Sequence, residues 1–492
     1  MKKILLSVIF PALFAAHSLG QDRSLADSSF HNKISGVEAA NDMRLLMNAM
    51  KEAQPALYRY ASPRQVRREF EKGLKICRDS VDYLKLVKQI ARLISVTGCS
   101  HSGWGHSDAY YVYRESKANF FPFDIKVIKG EYFISRNYSD NPKVKIGSRI
   151  VSINNLSVND ISSELAKVLT HDGNNDTHIQ REIETYFMYV YSAFIDNPNS
   201  WNLNLISPDE GKEIDINVRA QTLEAIQRLK NQSDSLSTGN RLPLQFSFND
   251  KLDTGIYSIE SFNKNDIQEQ GQDYAAFTDS VFDELQRRNA RNLIIDLRNN
   301  GGGETVYAKY LFSHFIDKQY PFFESVRVIK TRNYSFKNFI TYGPEYNDTM
   351  TFAKTRDGLL SWTNNPNLHV YPRTKNRFRG KIYVLINGNT MSAAAALATE
   401  LRLRTSAVFL GEETGGAMGG PNGMPVSFQL PASKIRITLS TAMYTMGGNH
   451  LNKTRGVIPD VALETSISDQ LNGKDAVRQY ALQAIEKDAG SY

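Results

Sequence analysis

Hydrophobic and polar positions follow a different period in successive parts of the chain. Over Glu38–Val96, residues Leu45, Leu46, Met50, Phe70, Leu74, Ile90, Leu93 and Ile94 recur at helical spacing, and Pro55 and Pro63 bracket a turn. The pattern predicts a helical N-terminal cap within 21–116 that carries the loop Gly98–His106. From Phe120 the texture changes to short β-type runs, Phe121–Ile128, Tyr132–Ser135 and Ile146–Asn154. Asn154-Asn155 reads as a tight turn, and a helix follows from Asp160, whose carboxylate can cap it. Residues 117–206 are therefore expected to form a β+α module, and 207–242 a linker region in which Gln221–Arg241 gives a helical stretch that runs into the polar linker Asn231–Asn240. Beyond Pro243, strands at Gly255–Phe262, Asn292–Leu297, Lys381–Ile386 and Ala407–Leu410 alternate with helices at Asp273–Asn289, Thr305–Ile316 and Ser392–Leu403. That alternation predicts an α/β layered core over 243–470, interrupted by a polar, aromatic-rich insertion and closed by a C-terminal helix within 471–492.

Composition narrows the class without naming it. The 492 residues are 41% hydrophobic and 23% charged, which excludes disordered, collagen-like and coiled-coil chains. A net charge of +7, thinly spread, gives no reason to expect a nucleic-acid partner. Met1–Gly20 has Lys2 and Lys3, an apolar stretch Ile4–Ala16 broken by Pro11, and small residues at Ser18 and Gly20. It reads as a signal peptide, so the mature protein is expected to start near Gln21 and to be exported, periplasmic or secreted. No other segment is apolar enough for stable membrane insertion. Cys77 and Cys99 cannot make a four-ligand zinc cage alone; they could pair in an oxidising compartment or stay as buried thiols.

Two loops of the α/β core carry candidate chemistry. In Leu293–Glu304, LIIDLRNNGGGE, a strand runs through Asp296 and Arg298 into three glycines before a helix. Backbone N–H groups of such a turn suit an anion, yet the spacing matches neither dinucleotide-binding nor P-loop patterns. A tight turn without chemistry and an oxyanion site both remain open for it. In Tyr383–Arg402, YVLINGNTMSAAAALATELR, a strand and Gly-Asn turn lead to Ser392 at the start of an Ala-rich helix. Ser392 there is either an N-cap or a nucleophile in the positive field of the helix end.

Taken together, DLRNNGGG, VLINGNTMSAA, FLGEETGG (Phe409–Gly416) and RGVIPD (Arg455–Asp460) resemble, in order and spacing, the S41 family of serine peptidases, the tail-specific proteases and their tricorn-like relatives. The stretch Ile146–Leu169 similarly resembles a PDZ-like module, which binds extended peptide at a strand edge. The resemblance implies a crotonase-like (ClpP-like) S41 protease core and a peptide or protein substrate, with no cofactor and no metal. Family members of the serine–lysine design place a lysine where this chain has Ala417, and no lysine occurs between Lys381 and Lys434. The tricorn-like design uses a histidine from an N-terminal segment, oriented by a neighbouring serine and a distant glutamate; GCSHSGW (Gly98–Trp104) supplies Ser100 and His101. The carry-over is Ser392 as nucleophile, His101 as general base, Ser100 as its orienting neighbour, and Gly301 or Gly302 with Ala393 as the oxyanion hole. The family's glutamate, just before the GVIPD block, is replaced here by Asn452, Lys453 and Thr454, which leaves Glu412 and Glu413 as nearby alternatives. His106 competes with His101, and a metal site at His101, His106 and Cys99 lacks the HExxH pattern. His450 could stand behind the site or be solvated, and the basic run Arg373–Lys381 is a solvated face or a contact for acidic substrate. The implied function is an exported serine peptidase working through an acyl-enzyme; the alternative is an inactive peptide-binding scaffold. Oligomeric state stays open.

Overall fold

The computed structural model describes residues 33–117, 119–234, 242–344, 346–373, 375–448 and 451–489. The expected signal peptide and His450 lie outside the described residues.

The N-terminal cap opens with three helices, Gly36–Ala53, Pro63–Ile76 and Tyr83–Ser95, and a fourth, Asp108–Lys117, follows the histidine loop. Each starts where the sequence provides a stop to what precedes it. Ser35 caps the first through Glu38 N–H, and Ser62 with Gln65 forms a reciprocal capping box on the second, with Pro63 at its first position. Their apolar faces, with Met43, Leu46, Met50, Leu86, Ile90 and Leu93 fully buried, join one continuous core.

That core runs on into an antiparallel sheet ordered Phe123–Ile128, Glu131–Asn137, Arg149–Ile153, Ser200–Ile206, Glu213–Arg219. The helices Val158–Ala166 and Asp176–Phe194 accompany it. Asn154 and Asn155 turn with φ of 49° and 65°, as a tight hairpin turn requires. Two readings are corrected here. The first helix is capped by Ser157, not Asp160; Asp160 instead accepts the Ser157 hydroxyl proton at 2.7 Å. The sheet continues through Arg219, so Glu213–Arg219 belongs to it rather than to a linker, while the expected helical stretch is the helix Leu223–Asp234, which runs into the expected linker; 235–241 lie outside the described residues. Glu213–Arg219 alternates charged and apolar residues along an outer strand with only Val218 buried, a weak hydrophobic signal.

The C-terminal half is a mixed α/β structure. Its six-stranded sheet is ordered Leu244–Asn249, Thr254–Ile259, Asn292–Asp296, Lys381–Ile386, Val408–Gly411, Val461–Ala462, parallel except for the first pair. Buried on both faces, these strands read as continuous apolar runs. Leu293, Ile295, Val384 and Ile386 face helices Tyr274–Arg287, Thr305–Phe312 and Ser392–Arg404. Ile294, Tyr383 and Leu385 face the C-terminal helix Ala476–Ala489. Asp296 and Arg298 of the glycine-rich motif join that helix through Asp475 and Arg478, at 2.6 Å for Arg298–Asp475 and 3.2 Å for Arg478–Asp296. Half of that motif is thus structural.

The insertion joins two strands that follow the Ser392 helix to build a second sheet, in which Asn422–Gln429 and the insertion's Ser325–Val328 flank the long strand Arg436–Thr445. In the basic run, Arg373 pairs with Asp279, Arg377 and Arg379 with Asp317, and Lys381 with Asp488. Four of its five basic side chains thus have carboxylate partners within the fold. The short strand Gly103–Gly105 hydrogen-bonds to Arg436–Thr438, joining the histidine loop to the C-terminal half.

Candidate active site

The turn that carries Ser392 is built from two strand ends that cross-link one another. Asn387 and Asn299 exchange hydrogen bonds at 2.9 Å each, Met391 N–H donates to Asn300 O at 3.0 Å, and Thr390 Oγ1 donates to Leu297 O at 2.9 Å. Met391 holds the N-cap position without a side-chain cap, and Ser392 follows with φ of 49°. A non-glycine residue in the left-handed region costs about 1–3 kcal/mol and persists where surroundings enforce it. Here they do, because every residue from Ala393 to Leu401 is buried in the core behind the turn. Ser392 is therefore held out of the ordinary capping geometry, with its hydroxyl turned towards the N-terminal half.

His101 meets it there. His101 Nε2 lies 3.1 Å from Ser392 Oγ, and Nδ1 lies 3.1 Å from Ser100 Oγ. The loop is fastened on both sides: Ser440 N–H donates to Ser102 Oγ at 3.3 Å, and Arg436 Nε donates to His106 O at 3.2 Å. Burial lowers the His101 pKa below the ordinary imidazole value, with the charge of Asp172 opposing the shift. The competing His106 is fully buried among Tyr83, Trp104 and Tyr110, its ring 4.1 Å from that of Tyr110. Burial and two arginines, Arg114 and Arg436, hold its pKa well below the ordinary value.

The glycines sit as close as their type allows. A Cβ on Gly302, whose φ is 98°, would stand 2.6 Å from Ser392 Cβ. The Gly302 N–H donates to Asn300 Oδ1 at 2.9 Å, tightening the turn itself. Gly301 adjoins it, and Ala393 opens the helix behind Ser392. Ala417, at the position where relatives of the other design carry lysine, is buried.

The two glutamates left open by the sequence have other partners. Glu413 takes Arg455 Nε at 2.8 Å and Gly456 N–H at 2.7 Å, holding the GVIPD block. Glu412 accepts Gly388 N–H at 3.1 Å and faces Arg181 Nε at 3.8 Å; burial raises its pKa. The carboxylate that does reach the serine–histidine pair is Asp172, which sequence reasoning missed. Its Oδ1 accepts both the Ser100 hydroxyl, at 2.8 Å, and the Ser100 N–H, at 2.9 Å. The surrounding HDGNND reads as a surface turn, and its Asp-Gly step was the only local signal. Cys77 and Cys99 are free buried thiols, the latter 3.5 Å from Ser440 Oγ.

A strained serine at a helix start, in hydrogen-bond contact with an imidazole beside a glycine-rich turn, has the layout of a serine hydrolase. Residues 253–463 match the model of peptidase family S41, which marks that segment as a serine-peptidase domain of the S41 type. The matched segment contains Ser392 but not His101, Ser100 or Asp172. Among solved structures, mature CPAF complexed with lactacystin is similar at 13% identity and a TM-score of 0.64, covering 92% of this chain and 98% of that one. Mature CPAF on its own gives 14% identity and a TM-score of 0.63, with the same coverage. At such identity the likeness is one of fold. No curated protein matches the chain.

Proposed function

We propose that this is an exported peptidase in which Ser392 Oγ attacks the scissile carbonyl and His101 Nε2 accepts its proton. The imidazolium then protonates the leaving amine, and water resolves the acyl-enzyme by the same route. The developing oxyanion faces Ala393 N–H, at the positive end of a buried helix, together with Gly301 N–H of the facing turn. The observation that carries this reading is the 3.1 Å contact between Ser392 and His101, groups 291 positions apart on separate elements. Chance packing rarely turns a strained serine and an imidazole nitrogen onto each other. Export rests on the basic and apolar Met1–Gly20.

The module Phe123–Arg219 is read as PDZ-like on its antiparallel sheet and two helices. Peptide capture along the edge strand Phe123–Ile128 is not the simple expectation, however. Val127 N–H donates to Glu184 Oε2 at 3.1 Å and Val127 O accepts from Arg181, so side chains of the helix Asp176–Phe194 already occupy that edge.

A fluorophosphonate probe tests the reading. The wild-type chain should be labelled at Ser392, and Ser392→Ala should lose labelling and at least about 10³-fold in peptide hydrolysis with its unfolding midpoint nearly unchanged. The exported protein should begin near Gln21. A wild type that is never labelled would instead support the inactive scaffold.

A further inference from the structure

The histidine has a serine beside it but lacks the glutamate that the S41 resemblance leads one to expect. We propose that Asp172 is the positioning residue that fixes the polarity of the Ser392–His101 pair, acting through Ser100. This rests on the serine–histidine reading above.

The argument begins with donors and acceptors. A carboxylate can only accept, so the Ser100 hydroxyl at 2.8 Å must donate to Asp172 Oδ1. Its oxygen is then left to accept, and the partner 3.1 Å away, His101 Nδ1, must carry the proton. A neutral imidazole has one N–H, so Nε2 is bare and faces Ser392 Oγ as an acceptor. The order runs from the Ser392 O–H to Nε2, from Nδ1–H to Ser100 Oγ, and from the Ser100 O–H to Asp172. Without the carboxylate, Ser100 could donate to Nδ1, and the proton would sit on the nitrogen facing the nucleophile. During reaction the Ser392 proton goes to Nε2 and no further, and the negative charge two hydrogen bonds away stabilises the imidazolium.

The docking of the segment supports the assignment independently. Asn174 N–H donates to Thr454 O at 2.8 Å, Gly173 N–H donates to Gly98 O at 3.1 Å, and Thr177 Oγ1 donates to Glu413 O at 3.0 Å. The turn that carries Asp172 therefore seats on Thr454, in the stretch where relatives supply their acid. A Cβ on Gly173, whose φ is 64°, would stand 2.3 Å from Thr454 O, so the approach is as close as backbone allows. Asp172 is 1% exposed, and its Oδ2 has no hydrogen-bond partner among the described residues. A residue needed only to hold Ser100 N–H could be an asparagine or serine, without the cost of burying a charge. Groups facing this centre are Cys99 on the same loop, Tyr60 from the cap, and His171 and His178 flanking Asp172. Its charge raises all three imidazoles against the desolvation that lowers them.

The test uses the full chain, the rate of fluorophosphonate labelling, and kcat and KM on a peptide across pH. Asp172→Asn should lower the labelling rate and kcat by on the order of 10²–10⁴-fold with KM changed only a few-fold. The acidic limb of labelling should move to lower pH, because a charge that favours the imidazolium has gone. Ser100→Ala should produce a loss of similar size, and the double variant should be little worse than either single one. That non-additivity is a readout a merely structural role would not give. Should Asp172→Asn not fold, Ser100→Ala still decides, since it keeps Asp172 and the Ser100 N–H. A labelled wild type with Asp172→Asn within threefold of it and the same limb would overturn the role of Asp172, as would Ser100→Ala at wild-type rate. A wild type not labelled at Ser392 would overturn the peptidase reading itself.

Discussion

The two halves of the molecule contribute to the site by different means. Ser392 is held by contacts made almost wholly within the C-terminal half: the paired asparagines Asn299 and Asn387, Thr390 on Leu297, and the buried alanine helix behind. His101 and Asp172 arrive from the N-terminal half and are positioned by its docking on Ser440, Arg436 and Thr454. The geometry of Ser392 is thus local, and the placement of His101 and Asp172 is a property of an interface. Substitutions at His101, Ser100 or Asp172 should therefore remove activity while leaving the strained serine turn intact.

The sharpest way to break that contrast is at the two histidines of the loop. His101→Ala should abolish hydrolysis by at least about 10³-fold and retain the fold, since nucleophile and base act as one unit. His106→Ala should do the opposite. It empties a ring-sized space between Tyr83, Trp104 and Tyr110, so it should destabilise by roughly 2–4 kcal/mol while the folded fraction keeps much of its activity. Thermal unfolding beside active-site titration separates the two. Near-native hydrolysis in His101→Ala would remove the base from the mechanism.

Legibility followed the same division. The central parallel strands are apolar runs, and Lys381–Ile386 lies where its pattern placed it. The block around Ser392 was readable because its requirements are local: a strand, a turn, a small-residue helix. His101 was readable only through the Ser-His pair's resemblance to a family segment. Asp172 was not readable at all, since its role depends on Gly173 meeting Thr454 and on Ser100 standing opposite, 72 positions away. The insertion's strands were missed for a further reason. Ser325–Val328 and Leu360–Trp362 are only a few residues long and become strands by pairing next to Arg436–Thr445 and next to one another.

A smaller effect is expected where the cap clamps the loop after the nucleophile. Arg59 donates to Gly420 O at 3.0 Å, to Tyr444 O at 3.3 Å, and to Gly419 O, so one guanidinium ties three carbonyls of the C-terminal half to the cap. Charge-assisted bonds of this kind contribute about 1.5–3 kcal/mol each when their partners stay buried, less where water can replace them. Arg59→Ala should therefore cost about 1–3 kcal/mol and slow hydrolysis several-fold through a looser loop. Arg59→Lys should recover only part, because an ammonium cannot match the fork. Urea unfolding and kcat/KM on the same preparations check this. Loss of activity at unchanged stability would show that Arg59 acts on substrate instead.

The smallest effect on chemistry, and the one that isolates the docking helix, concerns Glu182. It lies within the helix Asp176–Phe194, whose His178 Nδ1 donates to Gly388 O at 3.1 Å, and its carboxyl is 3.9 Å from His178 Nε2. Burial pushes the Glu182 pKa up to about 8 and the His178 pKa down to about 4, so both are neutral near pH 7. The nearby Tyr186 remains protonated, its pKa raised first by burial and further by Glu182. In the unfolded chain Glu182 has released its proton above about pH 4.3, whereas the folded chain keeps it until about pH 8. Its contribution to stability is therefore fully present below the unfolded value and is lost as pH rises towards 8. His178 works in the other sense, stability rising with pH between its folded and unfolded values, so the two oppose each other up to about pH 6.5. Above that only Glu182 of the two acts, and at about 1.4 kcal/mol per unit its contribution should fall by on the order of 2 kcal/mol between about pH 6.5 and 8. Glu182→Gln removes this titration and keeps an N–H donor for His178, so its stability curve should be flatter over that window and lie above wild type at pH 8. Because other groups titrate equally in both proteins, the difference between their urea curves isolates Glu182. Parallel curves from pH 6.5 to 8 would mean that the carboxyl is already ionised in the folded chain, and that the helix is held to Gly388 by a charged Glu182–His178 pair instead of a neutral one.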